Sequence, residues 1–158
     1  MKVIKDIKAI DIRDSFFDAL YDIASKDSDV ILLVADMGAF SLERFREDLP
    51  TQYINVGIAE QNLVNVATGL ALDGKKVFVY AIASFVTQRC YEQLKVNLSG
   101  MNLPIVVVAM GPGITYSSDG LTHFATQDIA NIRALPNFKI LSISDPVSSQ
   151  EAVKIAAS

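Results

Sequence analysis

Tyr53-Ile54-Asn55-Val56-Gly57-Ile58-Ala59-Glu60-Gln61-Asn62 is the stretch that decides the fold. A short apolar run passes through a glycine into an apolar helix expected from Ala59 to Leu72, where Asp73-Gly74 stops it. A strand that hands over to a helix within a few residues is half of a parallel βαβ unit. The same turn delivers a lone carboxylate, Glu60, onto the first turn of that helix. There it can simply be an anion favoured by the helix dipole and packed at a subunit contact. If the fold buries it beside a ring instead, its pKa rises and it can hold a proton at neutral pH. Both readings stand at this point.

Outward from this turn the pattern repeats. Ile12 to Lys26 spaces Phe16, Phe17, Leu20 and Ile23 as one helical face. Val30-Ile31-Leu32-Leu33-Val34 is a buried strand ending near Asp36, and Lys76-Val77-Phe78-Val79-Tyr80 is another. A helix is expected from Phe85 to Ser99, then the strand Ile105-Val106-Val107-Val108-Ala109 after Pro104. A glycine-rich loop covers Gly111 to Gly120, with a helix over Gln127 to Ala134 and a last strand at Phe138-Lys139-Ile140-Leu141. Asp145-Pro146 reads as a cap and first helical residue leading into Val147 to Ala157. Nearly all-apolar strands alternating with helices predict an α/β fold: three layers, a doubly wound and mostly parallel sheet with helices on both faces. Ligands of such sheets sit at the carboxyl ends of the strands. Asp36, the Gly57–Glu60 turn, Ala83 to Phe85 and Gly111 to His123 all fall at that edge.

The chain has 158 residues, 51% hydrophobic and 20% charged, enough for one domain over 1–158 with a sizeable core. A mean hydropathy of +0.31 is high for an isolated domain and points to apolar surface meant for a partner. A net charge of −4, with scattered basic residues, argues against a nucleic-acid surface. No run of about 20 apolar residues suggests a membrane span. Met1-Lys2-Val3-Ile4-Lys5-Asp6 lacks the apolar centre of a leader, and the single Cys90 reads as a small buried hydrophobe, so a cytoplasmic location is expected. His123 is the only histidine: a surface loop residue, or a group for proton transfer and hydrogen bonding to substrate. With no second His and no Cys partner, no His/Cys metal site is expected. Phe85 is either a core aromatic or a ring that stacks on a flat ligand. No Walker loop or Gly-x-Gly-x-x-Gly fingerprint is present.

Read together, several motifs resemble a known family. Asn55 to Gln61, Ala71-Leu72-Asp73-Gly74 and Ser84-Phe85-Val86-Thr87-Gln88-Arg89 are similar to the pyrimidine-binding domain of transketolases. Gly113-Ile114, Asp119-Gly120-Leu121-Thr122-His123 and Ile132-Arg133-Ala134-Leu135-Pro136-Asn137 continue the resemblance in order, over nearly the whole chain. It implies the thiamine-diphosphate-binding fold and two-carbon ketol transfer between sugars. By this resemblance Glu60 hydrogen-bonds the cofactor's aminopyrimidine and favours its imino tautomer, so Glu60 and His123 are the catalytic pair. Phe85 stacks on the pyrimidine, Asp36 lies near the cofactor, and His123 and Asp119 contact substrate hydroxyls.

The family's Gly-Asp-Gly diphosphate and metal motif is missing from this sequence. The resemblance therefore implies that a divalent metal such as Mg2+ is held by a diphosphate-binding domain or subunit elsewhere, in a homo- or hetero-oligomer. The chain is expected to be the C-terminal subunit of a split enzyme or one domain of a longer one, and inactive alone. Positions that grip a sugar phosphate in the family fall at Ile10, Phe40 and Gly111, and Phe124 and Ser117-Ser118 also depart from its pattern. None of those side chains makes charge-assisted phosphate contacts, so an acceptor without a terminal phosphate there is expected. Three alternatives remain. A deoxyxylulose-phosphate synthase shares the Glu60 and Asp119–His123 patterns, the β subunit of a 2-oxo acid dehydrogenase shares the Glu turn, and a non-catalytic assembly module fits the apolar composition.

Overall fold

A computed structural model describes residues 11–157. Helix α1 (Ile12–Ala24) starts where the Asp11 carboxylate accepts from Arg13 N at 2.8 Å. Strand β1 (Val30–Val34), helix α2 (Leu42–Asp48), strand β2 (Tyr53–Asn55) and helix α3 (Glu60–Leu72) follow. Strand β3 (Lys76–Ile82) leads into two π-helical segments, Phe85–Arg89 and Leu94–Ser99, on either side of a single α turn, α4 (Tyr91–Gln93). After strand β4 (Ile105–Met110) come two 3-10 turns, Ser117–Asp119 and Leu121–His123, then α5 (Asp128–Ile132) and α6 (Pro146–Ala157).

The four strands are parallel and ordered β2-β1-β3-β4. Winding thus runs one way from β1 to β2 and the other way from β2 through β3 to β4. Parallel crossovers are right-handed, so reversing direction moves the connecting helix to the opposite face. Accordingly α2 packs with α1 and α6 on one face, and α3 and the 85–99 stretch cover the other. Alternation along each strand feeds both layers. Val30, Leu32, Val34, Phe78 and Tyr80 meet Phe16, Phe17, Leu20, Leu42, Phe45 and Val153. Ile31, Leu33, Ala35, Val77, Val79 and Ala81 meet Leu63, Ala67 and Val86. Each large side chain fully buried here contributes roughly 1.5–3 kcal/mol. This is the three-layer, doubly wound α/β architecture expected from the alternation.

Polar side chains fasten the layers. Buried Gln52 donates from Nε2 to the carbonyls of Ala24, Asp27 and Val30 at 3.0, 2.9 and 2.9 Å, joining the end of α1 to the start of β1. Ser149 Oγ donates to Ile12 O at 2.8 Å and ties α6 to α1. Asp145 caps α6 as expected, accepting from Ser148 N at 2.8 Å.

Three expectations need correction. The helix over Phe85 to Ser99 is not one α-helix: Thr87 Oγ1 donates to Ala83 O at 2.7 Å and competes for the carbonyl an α turn would use, and Cys90 leaves helical geometry at φ −100°, ψ 15°. Phe138-Lys139-Ile140-Leu141 is no strand; among the described residues the sheet ends at β4. Its neighbours bind the 85–99 stretch instead, with Ser99 Oγ donating to Pro136 O at 2.6 Å and Asn137 Nδ2 to Ser99 O at 3.0 Å. The segment over 127–134 shortens to Asp128–Ile132, while α2, a short helix buried through Leu42 and Phe45, was not anticipated.

Candidate functional site

The loops after β1, β2, β3 and β4 share the carboxyl rim of the sheet. After β2 the chain turns at Gly57, whose φ of +76° suits glycine, and Ala59 N donates to Gly57 O at 2.8 Å. That turn sets Glu60 as the first residue of α3, its side chain only 5% exposed. A carboxylate so shielded needs a partner. Arg89 supplies it: Nη1 donates to Glu60 Oε2 at 2.8 Å. Arg89 closes the Phe85–Arg89 π segment, the kind of local widening that recurs at functional sites. Its guanidinium lies 4.3 Å from the centroid of the Phe85 ring, and its own carbonyl accepts from Gln61 Nε2 at 3.2 Å.

Phe85 in turn meets His123 edge to face, centroids 4.9 Å apart. The Tyr116 ring also meets the imidazole edge to face at 6.1 Å, and Thr122 Oγ1 lies 3.0 Å from His123 Nδ1. Ser84 Oγ donates to Thr122 O at 3.2 Å, and Gln88 Nε2 to Gln127 Oε1 at 3.1 Å, holding the β4 loop against the π segment. Glu60, Phe85 and His123 are therefore joined in one chain of contacts through Arg89. An open recess of about 360 Å³, lined in part by Ile58, Glu60, Asn65 and Arg89, adjoins it.

Asp36 sits on the same rim by another route. With φ +52° it donates from its backbone N to Asn55 Oδ1 at 3.0 Å, and Asn55 Nδ2 donates back to Asp36 Oδ1 at 3.1 Å. Asn55 Oδ1 also accepts from Gly57 N at 2.9 Å, so it ties β1's end to the Glu60 turn. Asp119 ends the exposed 3-10 turn just before His123. Of the departures noted in the sequence, Phe40 is 84% exposed. Gly111, at φ +79°, is covered by the Tyr116 ring, which would lie 2.1 Å from any Cβ placed there. Ile10 lies outside the described residues.

Cys90 is buried, as its type suggested. Burial first, then the charge of Glu60, push its thiol up to about 12 against the opposing pull of Arg89. It is therefore a neutral small hydrophobe beside the site rather than a nucleophile. Sequence reasoning missed the roles of Arg89, Asn55 and Tyr116. It also missed Tyr80, whose buried hydroxyl lies beside the Arg13 guanidinium but outside hydrogen-bonding geometry. Arg89 and Asn55 were visible inside motifs; Tyr116 and Tyr80 carry no signal in their spacing.

The family described as transketolase, pyrimidine binding domain, matches residues 8–158. The chain belongs to this family. As a transketolase pyrimidine-binding domain, it is 36% identical over 144 residues to an apulose-4-phosphate transketolase subunit of Phocaeicola vulgatus, covering 90% of this chain and 46% of that protein. It is 34% identical over 141 residues to the 6-deoxy-6-sulfo-D-fructose transketolase subunit of a Clostridium species, covering 89% and 43%. A solved split-gene transketolase, described as an inactive beta4 tetramer, matches with a TM-score of 0.83 and 30% identity over 94% of this chain and 48% of that one. This pyrimidine-binding domain thus spans less than half the length of these relatives. Among its described residues no helix is long and apolar enough to cross a membrane.

Proposed function

We propose that this chain, a single pyrimidine-binding domain, is one component of a thiamine diphosphate-dependent transketolase that moves a two-carbon ketol unit between sugars. The observation that carries this reading is the water-shielded Glu60 carboxylate, 5% exposed at the first turn of α3 and linked through Arg89 to the flat face of Phe85. These residues fit the pyrimidine half of the cofactor: a carboxyl able to share a proton with a ring nitrogen, and an aromatic face for the ring to lie on. Bound, the cofactor supplies the carbon nucleophile that carries the ketol unit. Glu60 pairs through its carboxyl with the ring nitrogen, Phe85 orients the ring, and Asp36 borders the site from β1. His123 and Asp119 bind substrate hydroxyls, and His123 moves protons during substrate steps. Among the described residues no group of three or more His, Cys, Asp or Glu side chains is gathered to hold a metal. We therefore assign the diphosphate and its divalent cation to a partner domain or subunit. Exposed Ile58, Phe40 and Leu121 give apolar surface for that partner to cover.

The acceptor in this reading has no terminal phosphate gripped at positions 40 and 111. Phe40 offers only an exposed ring, and Gly111 lies under Tyr116. Of the two relatives named above, one is named for a sugar phosphate and the other for a 6-sulfo sugar, and only the second supports an acceptor without a phosphate here. The reading is tested by combining the chain with its diphosphate-binding partner, thiamine diphosphate and Mg2+, and following ketol transfer. Absence of transfer from every ketose donor tried refutes the function, and an ordinary KM for ribose phosphate refutes the acceptor class. A second reading is favoured by 38% identity over 136 residues to the 1-deoxy-D-xylulose-5-phosphate synthase of Prochlorococcus marinus, of which the chain covers 21%. Pyruvate-dependent release of carbon dioxide by the same complex would select it.

A further inference from the structure

Arg89 touches two surfaces at once. Its Nη1 donates to Glu60 Oε2 at 2.8 Å, and its guanidinium carbon stands 4.3 Å over the centroid of Phe85. On the reading above, those two surfaces belong to the pyrimidine ring. A guanidinium is flat, delocalised and rich in N–H donors, so it can satisfy a carboxylate edge and an aromatic face together. We propose that Arg89 is a placeholder: it makes the two contacts that the pyrimidine would make, so its side chain must swing out as the cofactor enters.

The geometry distinguishes what is fixed from what can move. Glu60 is anchored on α3 and shielded, whereas the Arg89 side chain is 48% exposed and has solvent to swing into. The backbone beneath it is pinned, since Arg89 O accepts from Gln61 Nε2 and the π segment is held by Thr87 on Ala83. Displacement is thus a rotamer change of one long side chain and leaves the helix in place. The placeholder also keeps a buried carboxylate paired.

This inference rests on the pyrimidine-site reading, and its sign separates it from an arginine that grips the cofactor. Removing a competitor tightens binding; removing a ligand weakens it. The test is calorimetric titration of thiamine diphosphate with Mg2+ into the complex of this chain and its diphosphate-binding partner, for wild type, Arg89→Ala and Arg89→Lys. Arg89→Ala is expected to bind about fivefold tighter, the scale of one partly exposed ion pair. Arg89→Lys, which keeps charge but loses the flat fork, is expected to fall between, and it carries the test if the alanine variant fails to fold. In a sample with nitrogen-labelled arginine, the Arg89 side-chain NMR signal should shift on saturation. Equal or weaker binding by the variants, with wild type binding, overturns the placeholder while leaving the pyrimidine site intact. Failure of wild type to bind removes the site reading and the placeholder with it.

Discussion

Glu60 is shut away from water, with its side chain 5% exposed, and borders the recess it shares with Arg89. Glu60→Ala is expected to abolish turnover of the reconstituted enzyme while the melting temperature moves by only a few degrees. The lost ion pair has a half-exposed partner and is worth about 1 kcal/mol or less. Circular dichroism melting alongside a ketol-transfer assay checks both halves. Cys90 offers a second check. A thiol pushed up to about 12 stays neutral through the ordinary thiol range near about 8.5, so its alkylation in the folded protein should stay slow and flat there. Rapid labelling would mean the site opens locally. That Glu60, Phe85 and His123 gather at the carboxyl rim was legible in the sequence, because each follows a strand of a parallel sheet. Arg89's pairing was not, because it depends on a π turn that no spacing rule foretells.

At the scale of elements, the apolar runs identified β1 to β4, but length and edges came from partners. Lys76–Ile82 runs two residues past Tyr80 because β4 goes on pairing with Ala81 and Ile82 after β1 has ended. Phe138 to Leu141 has a strand's composition, yet Asn137 and Pro136 bond to Ser99 and steer it off the sheet. The β4 loop shows what a glycine can be required for. Gly111→Ala forces a left-handed φ of +79° on a side chain and drives it into Tyr116, whereas Gly113→Ala, at φ +62°, meets open space. Backbone strain alone costs roughly 1–2 kcal/mol and overpacking about 1–3 more. Urea unfolding should therefore rank Gly111→Ala well below Gly113→Ala in stability, and only the former should disturb the aromatic contact between Tyr116 and His123.

For the molecule as a whole, acid lability is set by carboxylates that the fold holds in their charged form. The hydrogen bond from Lys76, then the backbone of Asp29, hold Asp27 below the usual carboxylate range. The backbone and hydroxyl of Ser148 do the same for Asp145. A folded pKa below the unfolded one adds stability above the unfolded value, about 3.9, and that stability is lost as pH falls through the folded value. Acid unfolding followed by circular dichroism should thus be less steep in Asp27→Asn and Asp145→Asn than in wild type. The three-layer form was legible from strand and helix alternation; the order β2-β1-β3-β4 was not, since sequence order says nothing of which side a returning strand takes. That order has a lasting effect. Where chain direction turns back beside β1, the helices after β1 and β3 depart to opposite faces, which parts the rim loops as it does in sheets of this kind generally. Substitutions along the four rim loops can then change the ligand while the vessel persists, and only rewiring the connections would erase it.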